Sequence, residues 1–412
     1  MMTLKQHYIS SLIYLLITAV LGFFLRLEAT PFSLDIPSSY RFIVHTHSHV
    51  ALLGWVYLAL SSCIVYFFVE QSKIKKYYLK IFWTTQACII GMLIFFPLQG
   101  YALFSIIFST LFLIVSYVFF GFILKHSNPK LTSRKSFLLI KHALFYMVLS
   151  SIGPWALGGI MSTLGNQSVW YKLVIYFYLH FQYNAWFILA AFGLLIFLLE
   201  QSKVTIESKS FSIFLSLYHI GIIGTFFLSC LWASSHWSLY ALSNLGSLCL
   251  WVGLFYLWKS IQKPFMVFYS SLNQQSNFIL KFLAFVFILK MMMQTLTGIP
   301  YFAELATANL DLVIGYFHWF FLGFVTLFLL FLASYLKWIK LSKLSLSLYL
   351  FAFILTEFLI FYRAGIVIFK WSYFANLNLY LALFSFLFCL SIINILISTL
   401  MFNMAKFKIL KK

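Results

Sequence analysis

The 412 residues are 63% hydrophobic and 21% aromatic, and only 9% carry charge. That is too little polar surface to cover a water-soluble body, so soluble enzymes and soluble binding modules are excluded and an integral membrane protein is expected. A net charge of +20 would suggest nucleic acid in a soluble chain; here the cations lie in short breaks between apolar runs, which points to the lipid bilayer and its anionic headgroups and to no nucleic-acid role.

The apolar runs predict an all-α polytopic bundle of about 12 transmembrane helices, at residues 8–27, 41–69, 79–98, 101–124, 136–157, 170–199, 211–232, 240–260, 276–296, 309–336, 345–362 and 378–402. The first run is too long for a signal-peptide core and has no clear small-residue cleavage site, so it is read as a retained span. On this assignment 22 lysines and arginines fall on one side of the membrane and 5 on the other, with Lys290 inside a span. The asymmetry supports the helix count independently and places both termini in the cytoplasm.

Segment two carries the first sign of chemistry. Arg41 to Leu60 reads RFIVHTHSHVALLGWVYLAL, and His45, His47 and His49 stand there in an apolar run where an imidazole needs a partner or a metal. His45 and His49 are four apart and share a helical face, while His47 points largely the other way, so a single ligand engages either His47 or the His45/His49 pair. The pattern His-x4-(Gly/Ala)-(Trp/Phe) formed by His49, Gly54 and Trp55 returns 131 residues on as His180, Ala185 and Trp186, and 138 residues later as His318, Gly323 and Phe324. Such even spacing describes one membrane domain built from three repeat-like four-helix units, about 1–125, 126–263 and 264–412. Segments two, six and ten run in the same direction, so their imidazoles enter from one face and can share a layer.

Segment five closes in Gly153-Pro154 ahead of an outer loop, and His126, His142 and His219 read as interfacial or packing residues. In segment six, YLHFQYNAWF sets Gln182, Tyr183 and Asn184 beside His180, either to orient a ligand or to satisfy one another. His236, just after segment seven, is either plain loop or the residue that completes the outer layer. Lys290 in segment nine is expected to snorkel outward rather than to serve a proton path, and Glu357 in segment eleven lies within reach of Arg363. Tyr316 precedes His318 by two residues, on the opposite face of segment ten. The five cysteines sit singly inside spans, which excludes disulfide, zinc-ribbon and attached c-type haem readings and leaves them as small core residues.

Twelve spans in three groups of four, with histidines on segments two, six and ten, resemble subunit I of the haem-copper oxidases and the large subunit of nitric-oxide reductases. The resemblance covers nearly the whole chain in layout and four short motifs in residues. It implies that His318 and one of His45, His47 and His49 hold a low-spin haem b, six-coordinate and suited to electron transfer, with register against His318 favouring His49. It implies a metal ligand at His180 and leaves His236 to stand in for the family's histidine pair, so copper or iron would depend on these two, and a second haem beside it would need an unusual ligand such as Tyr316. Tyr316 stands where the family has its high-spin haem ligand, Ser234-Ser235 where it has the histidine pair, and Asn184 where it has a tyrosine or glutamate. The dinuclear centre is therefore incomplete, and its loss is favoured over a rearranged centre ligated through Tyr316.

The function implied is electron transfer in the bacterial inner membrane from a quinol or cytochrome c donor, with a second membrane subunit as a further partner. Oxygen or nitric-oxide reduction would require His180 and His236 to hold a metal. The alternative is a copper- or haem-handling protein without respiratory catalysis, with His45, His47, His49 and His180 as a relay. A transporter with no prosthetic group is disfavoured, because the four-helix units repeat in one orientation rather than inverted.

Overall fold

The computed structural model describes residues 3–34 and 38–410. Among the described residues twelve helices are long and apolar enough to cross a membrane: α1 (Leu4–Leu27), α2 (Tyr40–Phe68), α3 (Gln71–Gln99), α4 (Leu103–His126), α5 (Lys135–Thr163), α6 (Val169–Glu200), α7 (Ser208–Cys230), α8 (Trp237–Ser270), α9 (Gln274–Leu296), α10 (Leu310–Tyr335), α11 (Lys343–Phe369) and α12 (Leu377–Phe402). No strand occurs among the described residues. Every expected span is present, because a bilayer requires each crossing segment to satisfy its own backbone, and only a helix of about 20 residues does so. The chain is an integral membrane protein.

The helices run longer than the apolar cores that identify them. α8 extends to Ser270 through Pro264, and α11 continues to Phe369, which puts Arg363 on the helix rather than beyond it. α5 is two α-helical pieces, Lys135–Ser150 and Ile152–Thr163, joined at Ser151. Gly153-Pro154 therefore opens the second piece instead of closing the span, at a position where the missing proline N–H has no helical partner to lose. A short helix that apolar length does not reveal, Pro300–Ala308, precedes α10.

The histidine repeat has a backbone counterpart. α2, α6 and α10 each switch from α to π winding at the residue after the repeated histidine: Val50–Tyr57 follows His49, Phe181–Phe187 follows His180, and Trp319–Thr326 follows His318. A fourth π stretch among the described residues, Ile74–Tyr78, opens α3 and has no such histidine. π winding accounts for under about 1% of residues in ordinary proteins and concentrates at functional sites, so three occurrences in one register mark the histidine level of each helix. Each π turn takes an extra residue and rotates everything beyond it about the helix axis.

The chain divides into two compact units: unit 1, Met1–Phe122 with Asp311–Lys412, and unit 2, Ile123–Leu310. In unit 1, α1 packs against α2, including its π turn, and against α12, which also packs on α11. The π turns of α2 and α10 are tied by Trp55, whose indole N–H donates to Thr326 Oγ1 at 2.9 Å, and Tyr8 on α1 donates to the Leu329 carbonyl at 2.8 Å. In unit 2, α5 lies along α6 and α7 along α8. A Cβ on Gly246 would come within 2.6–2.7 Å of the Gly224 backbone, so α7 and α8 meet main chain to main chain, the contact that small residues permit between helices in lipid. The three repeat-like stretches of sequence are thus distributed over two packed units, with α9 in unit 2 and α10–α12 in unit 1.

Candidate functional site

Unit 1 holds His45, His47, His49, His318 and Tyr316. The three histidines of α2 divide by face. His45 and His49 turn toward the α3–α4 corner, where their rings lie 4.7 Å and 5.7 Å from that of Tyr101. His49 Nδ1 donates to the His45 carbonyl at 2.9 Å, and its Nε2 accepts from the Tyr101 hydroxyl at 3.3 Å. His47 turns to α1. Its Nδ1–H donates to the Thr18 carbonyl at 3.0 Å, which fixes the tautomer and leaves Nε2 with a free lone pair. Gly22, one turn along α1, makes room for that ring, since a Cβ there would sit 3.0 Å from His47 Cε1.

His318, the last residue before the π turn of α10, lies within electrostatic reach of His47 and of Arg26. Its Nδ1 is buried and has no hydrogen-bond partner among the described residues. Of the α2 histidines it is therefore His47 that the structure brings to His318, whereas His49 belongs to the Tyr101 corner. Both His47 and His318 are half-buried. Tyr316 packs beside Phe317 at a ring separation of 6.0 Å.

Charge gathers at the same end of these helices. Arg26 lies within electrostatic reach of His47, His318, Glu357, Asp311, Arg363 and Tyr40, and its guanidinium makes no hydrogen bond among the described residues. Arg363 pairs with Asp311 through both carboxylate oxygens, Nε donating to Oδ2 at 2.8 Å and the second bond joining Nη2 to Oδ1, and it reaches Asn378 Oδ1 at 3.4 Å. This corrects the expected Glu357–Arg363 pair: Glu357 is 2% exposed and neither of its carboxyl oxygens has a hydrogen-bond partner among the described residues. Arg363 turns instead to a carboxylate that its planar fork can engage twice. A cavity of about 290 Å³ opens nearby, lined by Phe24, Leu25, Glu28, Tyr40 and Ile43 among others.

Unit 2 holds His180 in different company. His180 is 1% exposed; Nε2 donates to the Ile222 carbonyl on α7 at 2.8 Å, and Nδ1 accepts from Asn184 Nδ2 at 3.2 Å. Asn184 Oδ1 accepts in turn from Lys290 Nζ at 2.5 Å, and the same amine donates to Gln294 Oε1 at 2.5 Å. Lys290 thus does not snorkel outward. It is 1% exposed, turned into the unit by Asn184 on α6 and by Gln294 four residues along its own helix. The Lys290-x3-Gln294 spacing was the available signal for this. A second, half-buried chain joins His142 Nδ1 to His219 Nε2 at 3.1 Å and His219 Nδ1 to the Tyr146 hydroxyl at 2.8 Å.

His236 has surroundings of its own. It is exposed and caps the start of α8, with Nδ1 2.8 Å from Ser238 Oγ. Among the described residues no group of three or more histidine, cysteine or acidic side chains is placed to hold a metal ion. The donor sets of the two units therefore differ. His47 and His318 each leave a ring nitrogen without a partner among the described residues, with Arg26 in electrostatic reach of both, so both imidazoles are open to a ligand. His180 has both ring nitrogens occupied by protein and does not fit a metal. Comparison with family models and with curated proteins gives no match to this chain. The fold and these centres define its class as a twelve-span integral membrane protein with an imidazole pair inside one packed unit.

Proposed function

We propose that the chain is a membrane electron carrier of the haem-copper oxidase subunit I type, with one low-spin haem b held between His47 and His318 in unit 1 and no metal on His180. The observation that carries this reading is His47: its Nδ1–H is anchored on the Thr18 carbonyl, which orients the ring and leaves Nε2 as a ligand, on the side of α2 that faces His318. A bis-imidazole haem supplies one-electron transfer and has no open coordination position for a gas. Arg26 provides a guanidinium for the anionic edge of such a group. Trp55 and Thr326 hold the two ligand helices in register through their π turns. The lysine and arginine distribution supports an orientation with both termini in the cytoplasm of a bacterium, and a quinol or cytochrome c fits as donor.

The test is a reduced-minus-oxidised absorption spectrum of the purified chain, expressed with ample haem, with haem quantified per chain before carbon monoxide is added. The expected result is about one haem b per chain, spectrally unmoved by carbon monoxide. A chain without haem overturns the reading; a second haem that binds carbon monoxide overturns the single-cofactor part of it.

A further inference from the structure

The polar chain through unit 2 has a fixed direction. A carbonyl oxygen only accepts, so His180 Nε2 must carry the proton it shares with Ile222, and the neutral ring then offers Nδ1 as an acceptor. Asn184 fills that acceptor with its Nδ2, which turns Oδ1 toward Lys290 Nζ. The reversed amide would set donors of Asn184 against donors of Lys290 and an acceptor against an acceptor at His180. The amine therefore orients the amide, and the amide fixes the imidazole.

A metal takes a histidine only through a ring nitrogen with a free lone pair. To offer one, His180 would have to release either the Ile222 carbonyl or the Asn184 amide, leaving a buried polar group unsatisfied. We infer that Lys290 is a positioning residue that closes His180 to metal ions, so that unit 2 carries a buried amine centre in the place where a helix-six histidine would otherwise hold a metal. This inference stands on unit 2 alone and is independent of haem in unit 1.

The experiment adds Zn²⁺ to the purified full-length chain after chelation and measures bound zinc after gel filtration. In the wild type, zinc content is expected to be unchanged by His180→Gln. Asn184→His alone, with the amine still in place, is expected to gain none. Lys290→Met combined with Asn184→His presents two imidazoles on one helical face and is expected to gain about one zinc ion per chain, lost again on adding His180→Gln. A purely structural role for Lys290 predicts lower stability in these variants but no such gain. The inference is overturned if wild-type zinc falls with His180→Gln, or if the double variant, folded by its thermal transition, gains nothing. Should the double variant not fold, the wild-type comparison with His180→Gln still decides, since binding through His180 contradicts a closed site.

Discussion

His180 in unit 2 and His318 in unit 1, which has His47 within electrostatic reach, begin from one sequence pattern and end in opposite states. α2, α6 and α10 share the same histidine register and the same change from α to π winding just after it. In unit 1 the neighbours are a carbonyl that anchors one nitrogen of His47 and a guanidinium with no partner among the described residues, so the imidazoles remain available to a ligand. In unit 2 the neighbours are a carbonyl, an amide and an amine in series, and both nitrogens of His180 are taken. The repeat sets where the backbone unwinds; the residues of the adjoining helices set whether the histidine there is a ligand or a packed polar group.

The largest effect is expected where the contrast is sharpest. His47→Ala or His318→Ala should abolish haem retention, while His49→Ala should leave it intact because His49 is engaged at Tyr101. Pyridine haemochrome content of the three purified variants checks this, and haem lost with His49→Ala but kept with His47→Ala would reverse the assignment of the ligand face. Next in size is Asn184→Leu, which leaves His180 Nδ1 without its donor and the Lys290 amine with one acceptor fewer, and should destabilise the fold by about 2–4 kcal/mol. Lys290→Met leaves only amide oxygens wanting a donor and should cost about 1–3 kcal/mol. Thermal transitions in detergent rank the two, and an equal or inverted order would mean that the amine rather than the amide organises the stability of the chain.

How much of this is legible in the sequence follows from what each level of structure depends on. The spans are legible because the bilayer imposes length and apolarity on every crossing segment, and the histidine repeat is legible because it is a spacing. The split of His45 and His49 from His47 also follows from helical geometry alone. Which face of α2 meets α10 does not, since it depends on how α1 packs, through Thr18 and the gap at Gly22. Lys290 was misplaced for the same reason: position along α9 suggests a route to the interface, but rotation of α9 toward Asn184 decides it. The repeat marks where three π turns begin but does not itself announce π winding, and the partner of Arg363 depends on α11 being long enough to bring it to Asp311.

Two smaller effects separate the units further. In unit 1, Asp311→Asn removes the charge from a bidentate pair whose side chains are 27% and 17% exposed, which should cost about 1–2 kcal/mol and leave Arg363 as a second unneutralised guanidinium beside Arg26. A thermal shift measured at low and high salt checks it: a loss that disappears in the salt-screened sample would mean the pair is a surface contact rather than part of the imidazole centre.

In unit 2 the corresponding acidic group is Glu207, which lies just outside the membrane-spanning part of α7. Its carboxylate accepts from the backbone N–H groups of Lys209 at 2.7 Å and Ser210 at 2.8 Å, capping the helix. Hydrogen bonds from Ser210, side chain and backbone, hold its pKa below the ordinary 4.5, with Lys209 N–H and the nearby Lys259 charge adding to the effect. A carboxyl lowered in the folded state contributes stability above its unfolded pKa and loses it as pH falls through the folded value. Amide exchange at Lys209 and Ser210, compared at each pH with Glu207→Gln to cancel intrinsic rates, should show extra protection in the wild type at neutral pH. That difference should shrink as the pH drops below 4.5. A difference that instead grew toward acid would mean that the carboxyl is stabilised in its protonated form and that the α7 cap works through a neutral hydrogen bond.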